Sequence, residues 1–396
     1  MNQLAINGGI PVRSDILPYG RQWIETDDIE AVVEVLRSDW LTTGPNVTAF
    51  EKEFASGVGS GRAVAVNSGT AALHAATYAL GTGPDHEVIV PAITFVATAN
   101  SALFQGATPI FADVNPDTLL IDPASVEELI SEKTVAVIAV DFTGHPCDYD
   151  QLRKVCDRHN LSLVDDASHS LGAKYKGRYV GSLADLNTFS FHPVKHITSG
   201  EGGMIVTDND ELADAMVRFR NHNISKGFHQ RELEETWYYE VVDLGFNYRL
   251  TDFQSVLAHN QLSKLPVWLE RRRRIAQIYS NAFNDLDSVL PLHVSQDVEH
   301  AYHLYVIQLD LEQLSVGRTE FYKALWAEGI GVNVHYIPVH LHPYYRERLG
   351  TGPGLCPVAE SAYEQIISLP VFPKMTDADA NDVVEAVTKV ARAYRI

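Results

Sequence analysis

The sequence predicts an α/β fold built on a mainly parallel β-sheet, followed by a smaller α+β domain. From residue 63 onward, short apolar segments rich in β-branched residues alternate with helical or turn-rich segments, the order that parallel strands with crossover helices produce. Segment 135–140 is apolar at every position, as expected for a strand covered by helices on both faces. Beyond residue 250 this alternation ends. We therefore expect a large domain at 1–250 and a small domain at 251–396.

The first two predicted elements are helices, one through residues 29–36 after the cap-like sequence 26–28 and one at about 47–55. After the capping sequence of the first, apolar residues recur at i, i+3, i+4 and i+7, which predicts an amphipathic helix with one buried face; these residues are Ile29, Val32, Val33 and Leu36. Seven strands are predicted next, at 63–66, 87–93, 109–114, 134–142, 161–164, 188–191 and 204–207. The small domain is predicted to contain helices at 253–262, 268–283, 319–328 and 377–394, and strands at 303–310 and 331–335.

Charge and hydropathy exclude two classes of protein. The 396 residues include 31 Lys and Arg against 51 Asp and Glu, a net charge of −20, which opposes sequence-independent binding to nucleic acid. The run Arg271 to Arg274 is interpreted as a solvated helix face or a set of dimer contacts. No uncharged apolar run approaches the roughly 20 residues of a membrane helix, and the first residues lack a signal-peptide pattern. We expect a cytoplasmic protein of two or three domains, with no membrane partner.

Lys195 is the first candidate for chemistry. It follows a predicted buried strand and precedes a Gly-rich turn that opens the next strand. Partial desolvation in such a place lowers the pKa of a lysine toward nucleophilic competence, so that it can form a Schiff base. Taken alone, however, a lysine after a strand is more often an exposed solubilising residue.

An acidic pair, Asp165 and Asp166, follows another predicted strand. A carboxylate at the carboxyl end of a central strand can face a pyridinium nitrogen and keep it protonated, as pyridoxal phosphate requires. Asp166 is the first choice and Asp165 the alternative. A helix N-cap or a magnesium ligand is an equally good interpretation of the pair by itself.

Two further segments have binding chemistry. The sequence 66–73 passes from a strand through Ser68, Gly69 and Thr70 into a helix, and backbone amides at a helix N-terminus beside hydroxyl groups can bind phosphate. Capped helices without a ligand use the same residues, and the Walker pattern is absent. Phe95 ends another strand, where a flat ring can stack on it, although a core phenylalanine is the simpler interpretation.

Metal and thiol chemistry are not expected. His335, His340 and His342 are close in sequence, but a zinc site needs three or four converging ligands. Pro338 and Pro343 predict instead an irregular loop over the active site. The three cysteines, Cys147, Cys156 and Cys356, lack C-x-x-C spacing, so we expect reduced structural thiols.

Together these segments resemble the DegT/DnrJ/EryC1/StrS group of fold-type I pyridoxal-phosphate sugar aminotransferases, over nearly the whole chain. The resemblance implies a large domain with a seven-stranded sheet, a smaller C-terminal domain and an obligate homodimer with shared active sites. The motifs that carry it are 40–45 (WLTTGP), 67–72 (NSGTAA), 165–169 (DDASH), 190–195 (SFHPVK), 200–203 (GEGG), 245–249 (GFNYR) and 334–336 (VHY).

The resemblance implies a role for each matching residue toward pyridoxal phosphate (PLP). Lys195 is the Schiff-base lysine and proton carrier, Asp166 the pyridinium partner and Phe95 the stacking ring. His169 is expected near the 3-hydroxyl group. The phosphate ligands are expected to be Gly69, Thr70 and Ser190, with Asn247 from the partner subunit.

Within the group, the chain is most similar to transaminases that aminate C4 of UDP-linked 4-keto-6-deoxy-N-acetylhexosamines and form UDP-4-amino-4,6-dideoxy-N-acetyl-β-L-altrosamine for pseudaminic acid synthesis, with L-glutamate as donor. This similarity lies in 190–195, 237–240 and 334–345. Alternatives are the D-epimer, as in bacillosamine synthesis, GDP- or dTDP-linked ketosugars, and a non-catalytic sensor or structural protein. The residues implied to contact the nucleotide sugar are Tyr19, Asp39, Trp40, Leu41, Thr42, His335, Tyr336 and Ile337, although Tyr19 and Trp40 are alternatively packing residues of the N-terminal helix.

Overall fold

The computed structural model describes residues 3–396, apart from the side chains of residues 228 and 229. The helices are α1 Thr26–Arg37, α2 Pro45–Val58, α3 Gly69–Ala79, α4 Val96–Phe104, α5 Pro123–Leu129, α6 Tyr149–His159, α7 Asp210–Phe219, α8 Phe228–Leu233, α9 Asp252–Leu262, α10 Leu265–Phe283, α11 Arg318–Ala327, α12 Pro343–Leu349, α13 Pro357–Gln365 and α14 Asp377–Tyr394. The strands are β1 Arg62–Val66, β2 Glu87–Pro91, β3 Thr108–Ala112, β4 Thr134–Val140, β5 Ser162–Asp166, β6 Lys174–Tyr175, β7 Arg178–Tyr179, β8 Leu186–Ser190, β9 Gly203–Thr207, β10 Val289–Pro291, β11 Val298–Glu299, β12 Tyr305–Leu309 and β13 Ile366–Leu369.

Seven strands form the central sheet, in the order β1-β9-β8-β5-β4-β2-β3. Strands β3, β2, β4, β5 and β8 pair in parallel, and β9 runs antiparallel to both of its neighbours. Six of the seven residues of β4 and all of β9 are buried, because helices cover both faces of the sheet. The prediction of an α/β fold with a seven-stranded, mainly parallel sheet is confirmed.

This topology gathers the ends of several strands at one edge of the sheet. Strands β1, β2, β5 and β8 all run in the same direction, so their carboxyl ends share that edge, where ligands bind in open α/β sheets. Ser68 follows β1, Phe95 follows β2, Asp166 ends β5 and Ser190 ends β8. Residues far apart in the chain are thereby brought together.

The C-terminal part contains a three-stranded antiparallel sheet, β10-β12-β13, with α10, α11 and α14 packed around it. The predicted helices and the strand at 303–310 are confirmed, but the predicted strand at 331–335 is wrong. There the chain forms one isolated bridge, between Asn333 and Ser368. Ile330 and Val332 are fully buried, so the apolar pattern reflects burial and not membership of a sheet.

The buried face predicted for α1 is also wrong. Ile29 and Leu36 are each 56% exposed, whereas Asp28 and Val35 are buried. The Asp28 carboxylate accepts hydrogen bonds from Asn260 Nδ2 (2.7 Å) and Lys264 Nζ (3.0 Å). These polar contacts, and not the apolar periodicity, orient α1 against α9.

The arginine run has a different role from the one predicted. Arg272 is fully buried and donates hydrogen bonds to the carbonyl oxygens of Tyr302 (3.0 Å) and Val371 (2.8 Å). It therefore joins α10 to two loops. Arg271 pairs with Asp377, so the interpretation as a solvated face or dimer surface fails at Arg272.

Packing crosses the proposed domain boundary at residue 250 in both directions. Leu4 and Leu17 belong to the hydrophobic cluster of the C-terminal part, and Val339, Tyr345 and Ile366 to that of the central sheet. The division at 250 stays a prediction.

The segment around His340 and His342 is helical and not the irregular loop that the sequence predicts. The segment predicted as an irregular loop over the active site folds instead into a 3-10 helix, Val339–Leu341, and α12, and Val339 and His340 are fully buried.

The three cysteines are buried free thiols, as predicted. Among residues 3–396, the structure contains no helix with the length and hydropathy needed to cross a membrane.

Candidate active site

A cavity of about 560 Å³ opens at the edge of the sheet where the strands β1, β2, β5 and β8 end. Its wall contains most of the residues that the sequence singled out, contributed mainly by the loops after these strands and by the segment 333–336 of the C-terminal part. The predicted site residues that line it are Tyr19, Gly69, Thr70, Phe95, Asp166, His169, Ser190, Lys195, His335 and Tyr336.

Other predicted site residues lie outside this wall. The Asn247 carbonyl oxygen accepts a hydrogen bond from Asn67 Nδ2 (3.2 Å), and Thr42 bridges to Thr251. The predicted residues that do not line the cavity of their own chain are Asp39, Trp40, Leu41, Thr42, Asn247 and Ile337. Their proposed contacts with cofactor or substrate stay predictions.

Lys195 extends its amine into the cavity from the loop after β8. Nζ lies 3.4 Å from Nε2 of His303. Burial lowers the pKa of Lys195 to about 8, and the negative charge of Asp166 opposes that shift. At pH 7 about a tenth of an amine with this pKa is unprotonated, far more than for a lysine of ordinary pKa, so it can act as a nucleophile and carry a proton.

Asp166 is a buried carboxylate with defined donors. Its Oδ2 atom accepts a hydrogen bond from Thr98 Oγ1 (2.8 Å), and Oδ1 accepts one from the Ser168 amide (3.3 Å). These donors orient the carboxylate, which is 5% exposed, toward the cavity. Thr98 lies in the segment after β2, where sequence reasoning selected Phe95 alone.

Asp165 does not reach the cavity, because successive residues of a strand point to opposite faces of the sheet. Both of its carboxylate oxygens are buried and have no hydrogen-bond partner among the described residues. Burial and the nearby charge of Asp141 raise the pKa of Asp165 well above its ordinary value. Of the two alternatives left open by the sequence, the geometry favours Asp166.

The turn at the start of α3 is closely packed against β8 and β9. Ser68 Oγ accepts a hydrogen bond from the Ala71 amide (3.0 Å) and caps the helix. A Cβ atom on Gly69 would lie 2.9 Å from Cβ of Ser190, and one on Gly203 would lie 2.4 Å from the Ser68 carbonyl oxygen. These glycines let the helix N-terminus and the Ser190 hydroxyl line one corner of the cavity, an arrangement suited to phosphate.

Aromatic and imidazole rings form another part of the wall. Phe95 is 56% exposed, so it is not a core residue, and its ring centroid lies 6.2 Å from that of Tyr336. Tyr336 Oη is 3.3 Å from Nε2 of His169. The Tyr19 ring lies 5.3 Å from the His335 ring. This wall can hold a flat ring and the hydroxyl groups of a sugar.

The donor set fits pyridoxal phosphate. An amine for its aldehyde, a buried carboxylate for its pyridine nitrogen, an aromatic ring beside the plane and a helix N-terminus for its phosphate all line the same cavity. Buried His169 Nδ1, which has no partner among the described residues, offers a further polar contact.

Neighbouring histidines have other partners. His196 Nε2 lies 3.1 Å from the Ala301 carbonyl oxygen, away from the cavity, and His340 Nε2 lies 2.9 Å from Glu360 Oε1. Within the described part of the chain, no three His, Cys, Asp or Glu side chains converge as metal ligands.

His303 is the main residue that sequence reasoning missed. It lies 108 positions from Lys195 in the chain, and its only signal was a polar residue at the first position of a mostly apolar predicted strand. Other lining residues to which the sequence analysis gave no individual role include His192, Val194, Glu201 and Asn333.

Comparisons with known proteins agree with this geometry. The model of the DegT/DnrJ/EryC1/StrS aminotransferase family matches residues 22–388. The spore coat polysaccharide biosynthesis protein SpsC of Bacillus subtilis is 42% identical over 382 residues, 96% of this chain and 98% of SpsC.

Two solved structures share the fold closely. The putative sugar aminotransferase Spr1654 from Streptococcus pneumoniae, in its PMP form, has a TM-score of 0.90 and 32% identity, covering 95% of this chain and 99% of its own. Helicobacter pylori PseC, an aminotransferase involved in the biosynthesis of pseudaminic acid, has a TM-score of 0.89 and 33% identity, covering 96% and 100%. The chain therefore belongs to the DegT/DnrJ/EryC1/StrS aminotransferase family, as a sugar aminotransferase that uses pyridoxal phosphate.

Proposed function

We propose that the protein transfers an amino group from L-glutamate to C4 of a UDP-linked 4-keto-6-deoxy-N-acetylhexosamine, with UDP-4-amino-4,6-dideoxy-N-acetyl-β-L-altrosamine as the product. The observation that carries the proposal is the single cavity in which Lys195, Asp166 and the N-terminus of α3 meet. The likeness to PseC supports the choice of sugar.

We assign each of the cavity residues a separate role toward the cofactor. When bound, PLP supplies an electrophilic aldehyde and a ring that accepts the electrons left by a departing proton. Lys195 Nζ would hold the cofactor through its aldehyde and, when free, would carry the proton taken from the substrate carbon. Asp166, held by Thr98, would keep the ring nitrogen protonated. Thr70 and Ser190 would bind the phosphate.

The proposed homodimer would complete the site. Among the described residues that line the cavity, Lys195 is the single lysine or arginine, yet a cofactor phosphate and a nucleotide diphosphate both have to be bound. We infer that a second copy supplies further polar groups, with Asn247 at the phosphate and residues 39–42 near the nucleotide sugar. Light scattering of the purified protein tests the dimer, and a monomer at working concentration would contradict it.

The substrate proposal is tested by a half-reaction. Protein converted to its pyridoxamine form with glutamate is mixed separately with the two epimeric UDP-4-keto-6-deoxy-N-acetylhexosamines, and the visible absorbance is followed. Return of the cofactor–lysine band with the L-configured ketosugar alone supports the proposal. Return with the D-epimer alone would favour a bacillosamine-type reaction, and no return with either would indicate GDP- or dTDP-linked substrates.

A further inference from the structure

A buried histidine from the small domain contacts the active-site lysine. His303 precedes β12, is 5% exposed and places Nε2 3.4 Å from Nζ of Lys195. Among the described residues, this is the hydrogen-bond partner that the structure assigns to the amine. The contact joins the two parts of the molecule inside the cavity.

The segment that carries His303 is anchored by three hydrogen bonds, two to residues 143–144 and one to α10. The Ala301 amide donates to the Gly144 carbonyl oxygen (2.9 Å), and the Leu304 amide donates to that of Thr143 (3.2 Å). Arg272 holds the Tyr302 carbonyl oxygen from α10 (3.0 Å). The imidazole is therefore fixed relative to the central sheet, whereas the long side chain of Lys195 is intrinsically mobile.

The surroundings keep this imidazole neutral. Its ring centroid lies 4.3 Å from that of His169 and 5.7 Å from that of His196. Burial, and after it the charges of neighbouring groups, lowers the pKa of His303 well below its ordinary value; those groups are Lys195, His169, His196 and Arg272. A neutral imidazole with its proton on Nδ1 presents Nε2 as an acceptor, and Nε2 is the atom that faces the amine.

We propose that His303 is a positioning residue: its Nε2 atom accepts a hydrogen bond from the Lys195 amine whenever that amine is not joined to the cofactor, and so keeps it in the cavity beside Asp166. No proton is transferred in this contact. The inference rests on the proposed role of Lys195 and adds to it a partner from the small domain. Without such a partner, the released amine would sample positions from which it cannot reach the substrate carbon.

The charged groups around the amine determine in which direction the pKa of Lys195 should change when His303 is replaced. Asp166 raises the pKa of Lys195, and positive charge on the lysine lowers the pKa values of His169, His196, His303 and His335. A hydrogen bond to the acceptor His303 stabilises the ammonium form most. Removing that acceptor should therefore lower the pKa of Lys195 further.

The experiment uses the cofactor-free protein and measures how fast the cofactor–lysine absorbance band forms with added PLP, as a function of pH. The unprotonated amine reacts, so the profile gives both an apparent pKa and a limiting rate. For His303→Phe, which retains a ring against His169, we expect a lower apparent pKa and a limiting rate reduced about tenfold through lost orientation. His303→Gln retains an acceptor and should restore both values to within about threefold of the wild type.

His300→Phe is the matched control. His300 lies in the same segment and is buried, but its Nε2 atom is 3.2 Å from Thr143 Oγ1 and does not contact Lys195. This variant should lower the melting temperature without changing the apparent pKa. If the role of His303 were purely structural, His303→Phe would likewise lower the melting temperature without changing the apparent pKa, and His303→Gln would not restore the stability. That result would overturn the proposal.

Lys195→Ala distinguishes a failure of the proposed role of Lys195 from a failure of the role of His303. If the band forms equally well in this variant, the proposed role of Lys195 fails and the inference fails with it. If Lys195→Ala forms no band while His303→Phe retains the wild-type pKa and limiting rate, only the role of His303 is refuted.

Discussion

Burial gives individual side chains of this active site properties that their residue types do not have in water. Lys195 is the clearest case, because desolvation lowers its pKa to about 8. Thr98 and Asp166 show the complementary effect, since a buried hydroxyl group fixes a buried carboxylate at 2.8 Å. Both effects depend on neighbours distant in the chain.

Replacing Lys195 by alanine tests the most specific residue assignment. Lys195→Ala should abolish turnover, because the nucleophile and proton carrier are lost together, while PLP remains bound without a covalent link. Stopped-flow absorbance and equilibrium dialysis measure the two properties. An active Lys195→Ala protein would refute the assignment.

Thr98 should support catalysis through Asp166. Thr98→Val removes a hydrogen bond to a charged group, which contributes about 1.5–3 kcal/mol, so kcat/KM should fall about tenfold to a hundredfold. Thr98→Ser retains the hydroxyl group and serves as the control. Equal losses in both variants would indicate that the methyl group, and not the hydrogen bond, matters.

Among the secondary-structure elements, the approach of α3 to β9 shapes the phosphate corner. The Ser68 carbonyl oxygen lies so close to Gly203 that a side chain there would meet backbone atoms, at 2.4 Å. The strand and the helix N-terminus can approach this closely only because Gly203 has no Cβ atom.

Gly203→Ala should therefore weaken both the fold and cofactor binding. We expect a loss of about 1–3 kcal/mol in the free energy of unfolding, as for other overpacked core positions, and a higher dissociation constant for PLP. Gly57→Ala, where an added Cβ meets nothing within 4 Å, is the control and should be neutral or slightly stabilising. Urea unfolding and fluorescence titration provide the measurements, and identical behaviour of the two variants would contradict the packing argument.

For the molecule as a whole, a buried acidic pair beneath the cavity links stability to pH. Asp141 Oδ1 accepts hydrogen bonds from the Cys147 amide and Tyr149 Oη, both at 2.8 Å. Burial raises the pKa of Asp141 to about 6 and that of Asp165 well above normal. Between the unfolded pKa, about 3.9, and these higher values, the folded chain holds protons that the unfolded chain has lost.

The unfolding free energy should consequently fall as pH rises through this window, because the native state binds more protons there. Asp141→Asn keeps an acceptor for Cys147 and Tyr149 but removes one titrating group, so its decline between pH 4 and 6 should be smaller, by up to about 1.4 kcal/mol per pH unit. Urea unfolding of the cofactor-free protein across this range measures it. Parallel curves for wild type and variant would count against the assignment of this pH dependence to Asp141.

Prediction from the sequence succeeded where a local pattern has one structural outcome. Runs such as 135–140 are apolar on both faces, and a strand covered by helices on both sides satisfies such a run. It failed at α1, where the buried Asp28 outweighs the apolar periodicity of Ile29 and Leu36, and at 331–335, where burial without strand pairing gives a strand-like pattern. His303 was missed because no local pattern marks a contact across 108 positions.

The sequence by itself therefore determined the fold class, the order of the central strands along the chain, the family and ten of the residues that line the cavity, since each of these depends on short motifs and on hydrophobic periodicity. Only the tertiary structure decided that Asp166 and not Asp165 faces the cavity, that Thr98 orients it, that Arg272 is buried and that His303 contacts Lys195. The physical reason is that desolvation and hydrogen bonding depend on which groups share a volume, and that volume is created by strand order and domain packing and not by neighbours in the sequence.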